Sequence, residues 1–597
     1  MGKPFLHCHR RFKNGKDHCY WSIAEKVRTT RGPWVQRQLL YLGEINDSQK
    51  AAWTKTIAVF DADRQAATQL ALFPSTHTIP AHLTDAVQVR LSEFTLHRPR
   101  PWGACWVACK LWQQLALDAF WSARLPASRE GTDWKTLLQI LTTYRLLDPG
   151  SEWRLHRHWL AHSGLGDLLG IELREVSKDS LYRCLDRLLE HRPALFQHLR
   201  ARWQDLFGAK FDVLLYDLTS TYFESDPPFP EGDKRRFGYS RDHRPDCVQV
   251  VVALIVTPEG YPLAYEVLPG NTSDKTTLAA FLEKIQTLYG QAERIWVMDR
   301  GIPTEAVLQK MRQSDPKVFY LVGTPKSRLN QLEQKLLALP WQSARPAVDV
   351  KLLPQGDELY VLARSADRVH KERAMRRAKL KTLWQRLHQL QQQKRLTRDD
   401  LLLKLGRAQE EAGRAFDLVE LHLPTPDQAV SAQTFTFTLR KTQLRAVRRR
   451  EGRYLLRTNL TGTNPAQWWQ FYLQLVEIEA AFKNLKDDLS LRPIFHQKES
   501  RIEAHIFVAF LAYCLSVTLR GHTRKLAGGL TARAVLDKLG TMQMVDVHFP
   551  TTDGRTLIFA RYTQPEPDQR MLLAQLGWEL PEQPPPRITA QGQMTPD

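Results

Sequence analysis

The sequence has few of the features that mark exported, disulfide-stabilised or membrane-spanning proteins. Its seven cysteines are scattered among 597 residues, a usage that suits a reducing compartment better than a disulfide framework. The first residues, MGKPFLHCHRR, contain neither an apolar stretch nor a small-residue cleavage site, so we expect no export signal. The longest apolar run, Ile506 to Leu519, is shorter than the roughly 20 residues that span a bilayer. This apolar run favours a buried core helix.

Nucleotide-binding and zinc-binding patterns are also missing. The sequence contains neither the glycine–lysine loop that cradles phosphates nor the glycine pattern of dinucleotide-binding folds. The histidines and cysteines near the N-terminus fit no standard zinc-ligand spacing. They are His7, Cys8, His9, His18 and Cys19.

Positive charge, in contrast, is abundant. The chain has 84 Lys and Arg against 64 Asp and Glu, a formal net charge of +20. This excess predicts a polyanionic partner, but it does not separate DNA from RNA or an anionic membrane surface. Residues 1–45 carry nine basic against three acidic residues, with aromatic residues between them. That segment either grips nucleic acid or forms a solvated basic sheet around an aromatic core.

The length predicts several domains. Changes in pattern divide the chain into six regions. In chain order they are a small basic β meander that is a candidate for binding DNA, a helical N-terminal region, a first core part, an insertion of helices and strands, a second core part, and a C-terminal region with a disordered tail. The boundaries are 1–50, 51–207, 208–330, 331–465, 466–530 and 531–597. Within 208–330, apolar runs and amphipathic stretches alternate, which predicts an α/β fold with a mixed sheet.

Two aspartates follow buried apolar runs in this core. Asp217 ends FDVLLYD, and Asp299 ends ERIWVMD. A carboxylate at the end of a buried strand is costly unless a cation compensates it, and sites gather beyond strand ends in α/β sheets. Two such carboxylates on neighbouring strands would form a divalent-cation site. The alternative is that each aspartate only caps the turn or helix that follows.

A third carboxylate lies on an amphipathic helix. Helical spacing of three and four residues places six positions on one face. They are Tyr472, Leu475, Glu479, Phe482, Lys486 and Leu489. Glu477 falls about 200° away from Glu479 at 100° per residue, so Glu479 is the inward carboxylate. The alternative is a surface glutamate paired with Lys483. Three carboxylates suit two Mg²⁺ or Mn²⁺ ions per active site, which cleave and join phosphodiesters.

These segments resemble the DDE transposases of the insertion-sequence-four superfamily. That family carries the pattern Tyr–x2–Arg–x3–Glu–x6–Lys. Here Tyr472, Glu479 and Lys486 match at the right spacing, and Leu475 departs from the pattern. Further resemblance lies in YDLTSTYFE, GYSRDHRPDCVQV, LPGNTSDKTTL, the Asp299-Arg300-Gly301 box and LRPIFHQKESRIEAHI. The match is greatest with the long branch that has a β-rich insertion before the glutamate.

The resemblance implies a ribonuclease-H-like catalytic core interrupted by an insertion domain at 331–465. It also implies that Asp217, Asp299 and Glu479 are the catalytic, metal-binding triad. The residues expected to contact DNA are Tyr472, Lys486, Arg300 and Arg492. Trp468 or Trp469 either stacks on a flipped base or packs in the core.

The resemblance further implies a cut-and-paste transposase of a bacterial insertion sequence, acting in the cytoplasm at the nucleoid. Its partners would be transposon ends and target DNA, and it would form a homodimer in the synaptic complex. Two rival hypotheses are a nuclease on the same core without strand transfer, and a DNA-binding protein that has lost catalysis.

Overall fold

The computed structural model describes most of the chain beyond residue 87 and strands before it. The described residues are 5–13, 16–28, 34–44, 57–61, 66–70, 87–128, 132–171, 176–224, 226–240, 244–289, 294–299, 302–324, 332, 334–336, 338–393, 395–460, 479, 481–489, 491, 494, 496–524, 526 and 529–589. The chain forms two compact units. We name residues 1–189 with 506–597 the terminal unit, and residues 190–505 the central unit.

The described strands of the terminal unit form three sheets. These strands are β1 (Phe5–Lys13), β2 (Lys16–Arg28), β3 (Trp34–Glu44), β4 (Ile57–Asp61), β5 (Ala66–Leu70), β6 (Val87–Arg90), β7 (Thr95–Pro101), β19 (Gln543–Pro550), β20 (Thr556–Tyr562) and β21 (Arg587–Ile588). They are ordered β1-β2-β3, β5-β4-β6 and β21-β20-β19-β7. The antiparallel pairing of β7 with β19 joins the two halves of this unit.

The helices of the terminal unit pack around buried tryptophans. They are α1 (Gly103–Gln114), α2 (Leu117–Ser122), α3 (Trp134–Leu147), α4 (Glu152–Arg154), α5 (Leu165–Leu169), α6 (Lys178–Leu185), α14 (Ala532–Gly540) and α15 (Pro567–Leu576). Trp102 and Trp112 are fully buried. Buried Arg100 forms ion pairs with Asp167 at 2.6 Å and Asp546 at 3.0 Å, which link the N-terminal and C-terminal segments.

Two segments of this unit differ from the sequence-based expectation. The region 51–207 is not helical throughout, because β4 to β7 lie between residues 57 and 101 and the first α-helix among the described residues starts at Gly103. Short runs such as IAVFD hold β-branched and aromatic residues, which favour strands. The C-terminal tail was expected to be disordered, yet Arg587 and Ile588 pair with β20.

The central unit contains a nine-stranded mixed sheet. Its first five strands are β8 (Val213–Phe223), β9 (Val248–Val256), β10 (Pro262–Pro269), β11 (Ile295–Met298) and β12 (Phe319–Gly323). Their order is β10-β9-β8-β11-β12. β9 is antiparallel to both β8 and β10, whereas β8, β11 and β12 are mutually parallel. The helices that accompany these strands are α7 (Arg192–Phe207), α8 (Asp274–Tyr289) and α9 (Glu305–Gln313).

Residues 331–465 extend this same sheet. Their elements are β13 (Gln342–Arg345), β14 (Val348–Gln355), β15 (Glu358–Ser365), α10 (Ala366–Gln392), α11 (Arg398–Ala412), β16 (Val419–His422), β17 (Thr436–Leu439), α12 (Lys441–Arg450) and β18 (Arg453–Thr458). β18 lies between β12 and β15 and is antiparallel to both. Leucines of α10 and α11 form a separate core with β16 and Phe435. Arg448 to Arg450 form the end of helix α12.

Helix α13 (Glu499–Thr523) contains the longest apolar run. By length and composition it could cross a membrane, yet 94% of its most apolar window is buried in the protein. This burial matches the core helix that the sequence predicts.

Candidate active site

Asp217 lies on β8 at the point where its neighbour β11 ends. The two strands are parallel, with Tyr216 paired to Met298, the last residue of β11. Asp217 and Asp299, each one residue further along, therefore occupy neighbouring positions at the carboxyl edge of this pair. Adjacent strands lie about 4.8 Å apart, so both carboxylates can reach one cation.

Buried residues fix the backbone of both strands immediately before the two aspartates. Leu215, Tyr216, Val297 and Met298 are completely buried. Asp217 is half-buried and Asp299 is exposed. The pair thus lies where a rigid sheet meets solvent, an arrangement that holds ligand oxygens in place while leaving a path for substrate.

β8 does not end at Asp217, which corrects the sequence-based expectation. The strand continues to Phe223, because the residues after Asp217 still pair with β9. Thr219, Ser220 and Thr221 are buried despite their hydroxyls. What ends beside Asp217 is the partner strand β11.

Asp299 does not cap helix α9. Helix α9 is capped by Thr304, whose hydroxyl accepts a hydrogen bond from the Val307 amide at 3.3 Å. In the turn after β11, the backbone carbonyl of Asp299 accepts from the Ile302 amide at 3.5 Å. Asp217 accepts a 2.8 Å hydrogen bond from the adjacent Leu218 amide, a contact that orients its carboxylate.

Glu479 is helical and exposed, so the expectation that its carboxylate points inward is not met. The alternative pairing with Lys483 is not formed, since these two described side chains make no ion pair with each other. Further along, Phe482, Leu485 and Leu489 are buried.

The regular stripe predicted for this helix is altered by a π-helical turn, Asn484–Asp488. The Leu489 amide donates to the Asn484 carbonyl at 2.9 Å. The wider turn advances the helix by an extra residue, so that Leu485 joins the buried face and Lys486 is only half-buried.

Several residues that the sequence analysis singled out lie outside the described residues. They are Tyr472, Leu475, Arg300, Arg492, Trp468 and Trp469. The structure therefore brings Asp217 and Asp299 together, and the position of Glu479 relative to them remains a prediction.

A family comparison decides the assignment. Residues 209–515 match the model of the family described as "Transposase DDE domain", which is more than half of the chain. The chain belongs to the transposase DDE domain family.

Two other comparisons were made. No curated protein matches the chain significantly. Among solved structures, the chain is similar to "Cryo-EM structure of piggyBac transposase synaptic complex with hairpin DNA (SNHP)". That match has 10% identity and a TM-score of 0.33, and it covers 73% of this chain and 79% of the other.

Within this DDE domain, the resembling segments GYSRDHRPDCVQV and LPGNTSDKTTL meet near the end of β8. A Cβ atom on Gly238 would lie 2.1 Å from the Gly270 carbonyl oxygen, and one on Gly270 would lie 2.0 Å from that of Gln249. The buried Gln249 amide donates to the Tyr239 and Gly270 carbonyls at 3.0 and 2.9 Å. Gln249 was not predicted, although a lone amide within an apolar run is the signal that could have identified it.

Arg244 and Asp246, which lie in the resembling segment GYSRDHRPDCVQV, form a surface ion pair. Arg244 Nη2 lies 2.9 Å from Asp246 Oδ2, and Arg244 also contacts Glu224 at 3.3 Å. The hydrogen bonds from Arg244 lower the pKa of Asp246 to about 2. His243 lies outside the described residues.

An ionic network around the buried Arg457 supports the helix that follows Asp299. Arg457 on β18 binds Glu305 of α9 through two hydrogen bonds of 2.6 and 2.7 Å. The same guanidinium binds Glu358 at 2.7 and 2.6 Å, and Arg312 binds Glu358 at 2.7 Å. Sequence reasoning missed this network, because its members lie on three elements far apart in the chain.

Proposed function

We propose that this transposase cleaves DNA at the terminal inverted repeats of its element and joins the 3′-hydroxyls to target DNA, in a cut-and-paste reaction. The observation that carries the proposal is the register of β8 with β11, which makes Asp217 and Asp299 neighbours. Glu479 completes the triad on the helix that follows the insertion.

The topology supports a ribonuclease-H-like core. An antiparallel β10-β9-β8 meander is followed by two parallel strands, β11 and β12, in the order β10-β9-β8-β11-β12. Residues 331–465 then act as the insertion before the glutamate helix. This arrangement is consistent with the long branch of the insertion-sequence-four superfamily.

The carboxylates of Asp217, Asp299 and Glu479 fit Mg²⁺ or Mn²⁺, because hard oxygen donors are the ligands these ions prefer. Two bound ions would supply activation of a water or 3′-hydroxyl and stabilisation of the leaving oxygen. The side chains of this chain orient the reacting phosphodiester. Tyr472, Lys486, Arg300 and Arg492 would hold the DNA strand at this edge, Lys486 as a point charge.

Two transposon ends must be held together for joining, so we propose a homodimer on DNA. We propose the nucleoid as its place of action in the cell.

The test uses the full chain and DNA that carries the inverted repeats flanking its gene. Asp217→Ala and Asp299→Ala should each lower Mg²⁺-dependent cleavage by at least about a thousandfold, since metal contacts supply several kcal/mol of transition-state stabilisation. End binding should persist. Asp212→Ala is the matched control, because Asp212 immediately precedes β8 at the opposite edge of the sheet.

Cleavage by Asp217→Ala at the wild-type rate would overturn the triad assignment. Transfer of a pre-cleaved end into a plasmid separates a transposase from a nuclease. Cleavage without any transfer would leave only the nuclease hypothesis.

A further inference from the structure

Helix α12 carries a stripe of four basic side chains. They are Lys441, Arg445, Arg448 and Arg449, spaced at i, i+4, i+7 and i+8. At 100° per residue these positions fall within about 100° of the helix circumference, and all four are exposed. Leu444 is the buried residue of this helix. The stripe is about 12 Å long at 1.5 Å per residue.

Interactions among the residues that the structure describes do not explain the stripe. Cations stabilise the C-terminal end of a helix and are unfavourable at its N-terminal end, yet Lys441 is in the first turn, which holds no acidic residue. Lys441 and Arg445, and Arg445 and Arg449, are like-charged pairs at i,i+4, which repel each other. In the part of the chain that the structure describes, these four side chains form no ion pair.

The end of α12 is clamped onto α10. The buried Glu451 carboxylate accepts hydrogen bonds from Arg376 at 2.6 Å and Arg373 at 3.3 Å. The Gly452 amide donates to Glu372 at 2.9 Å. Gly452 has a φ of +68°, and a Cβ there would lie 2.4 Å from Val369. The stripe is therefore held rigidly beside the first half of α10.

The adjacent part of α10 is itself exposed and basic. Between Ala366 and Lys379 it contains no fully buried residue. Its exposed basic residues on either side of the face that packs on the end of α12 are Arg377 and Lys379, and neither forms an ion pair among the described residues. We call these two residues and the four of the α12 stripe the basic surface.

The basic surface begins at the edge of the sheet that carries Asp217 and Asp299. β18 is antiparallel to β12, with Leu456 paired to Gly323, the last residue of β12. The start of β18, and with it the end of α12, therefore lies beyond the carboxyl end of β12. β18 is two strands from β11, or about 10 Å at the usual strand spacing.

We propose that the basic surface binds the phosphate backbone of duplex DNA and guides it to the Asp217–Asp299 edge. This inference rests on the proposed function. One DNA strand presents a phosphate about every 3.4 Å along the axis, so the stripe faces three or four phosphates. Lys and Arg on an exposed helix neutralise phosphates without reading bases, and the contact is independent of sequence.

A membrane surface fits less well. A helix that lies on lipid needs a wide apolar face to insert, whereas the apolar side chain Leu444 of α12 is buried within the protein. The partner favoured by the chemistry is therefore a nucleic-acid duplex.

The test compares two triple variants of the full chain. Arg445→Gln/Arg448→Gln/Arg449→Gln removes three charges from the stripe. Lys210→Gln/Lys310→Gln/Lys317→Gln removes three charges from exposed residues that precede β8 or lie between β11 and β12, toward the opposite edge of the sheet. Binding to a fluorescent 30-base-pair duplex without inverted repeats is measured by anisotropy in EDTA, over a range of salt. Because cleavage cannot occur there, the outcome is independent of the triad.

The stripe variant should bind at least about tenfold more weakly in 0.1 M salt. Its plot of log K against log salt should also be less steep, with the magnitude of the slope smaller by about three. The control variant should stay within about twofold of wild type. Equal losses in both variants, or an unchanged stripe variant, would overturn the proposal. Binding of the stripe variant to phosphatidylserine vesicles is measured in parallel. A variant that loses vesicle binding but keeps duplex binding would also overturn the proposal. Equal thermal unfolding midpoints exclude misfolding as the cause.

Discussion

Arg457 is the residue whose contacts join the insertion to the helix after Asp299. Its guanidinium is 8% exposed and lies between the carboxylates of Glu305 and Glu358. The hydrogen bonds from Arg457 lower the pKa of Glu305 to about 2. A bidentate pair fixes geometry as well as charge, so α9 and the turn before it are anchored to β18.

Replacing Arg457 should therefore destabilise the protein. Arg457→Leu leaves Glu358, 10% exposed, with one cation fewer, and breaking a buried pair costs about 3–5 kcal/mol. The free energy of unfolding is measured by urea denaturation of the full chain. Arg364→Leu is the matched control on the neighbouring strand. Its pair with Asp349 is exposed by 43% and 36%, and such pairs contribute about 1 kcal/mol or less. Similar losses for the two variants would contradict the role of Arg457.

Gly270 tests whether the two resembling segments beyond β8 must pack closely. A Cβ at this position meets backbone oxygens of Gln249 and Arg236 at 2.0 and 2.4 Å, and backbone atoms cannot rotate away. Gly270→Ala should lower the free energy of unfolding by about 1–3 kcal/mol.

Gly406→Ala is the contrasting variant, since nothing lies within 4 Å of its Cβ on helix α11. It should raise stability by about 0.5–1 kcal/mol, because alanine is the better helix former. Both effects are measured as shifts in thermal unfolding midpoint. A Gly270→Ala variant as stable as wild type would show that the segments have room to separate.

At the scale of elements, the sequence predicts some features and misses others for physical reasons. The apolar runs before Asp217 and Asp299 predict two buried strands, because burying apolar side chains is favourable whichever elements pack against them. The length of β8 is not predictable, since LTSTY is polar and its burial depends on pairing with a strand that starts at Val248. The π-helical turn at Asn484–Asp488 changes the buried face without any local sequence signal.

Helix α12 shows the reverse case, in which local propensity alone indicates the helix. The strand-like alternation in TFTFTL, which contains β17, stops before KTQLRAVRRR. That segment is rich in Lys, Gln, Leu, Arg and Ala, which are all good helix formers. The clamp on Glu451 adds a long-range restraint that no local pattern reveals.

At the scale of the whole molecule, long-range pairing determines the division into units. Residues 506–597 belong with residues 1–189, because β19 pairs with β7 and Asp546 with Arg100. Composition gives no sign of this association. The net charge of +20 does predict a polyanionic partner, and the basic surface gives part of that charge a location and an orientation toward the candidate site.

We propose that Asp217 and Asp299 are metal ligands, and exchanging the ligand atom is a direct test of that role. In Asp217→Cys and Asp299→Cys a thiolate replaces a carboxylate; thiolates are poor ligands for Mg²⁺ and bind the softer Mn²⁺ more readily. Cleavage of DNA bearing the inverted repeats is measured with each ion. We expect both variants to be inactive in Mg²⁺ and to recover activity in Mn²⁺, while Asp212→Cys stays active in both. Variants that are equally active in both ions would contradict the account.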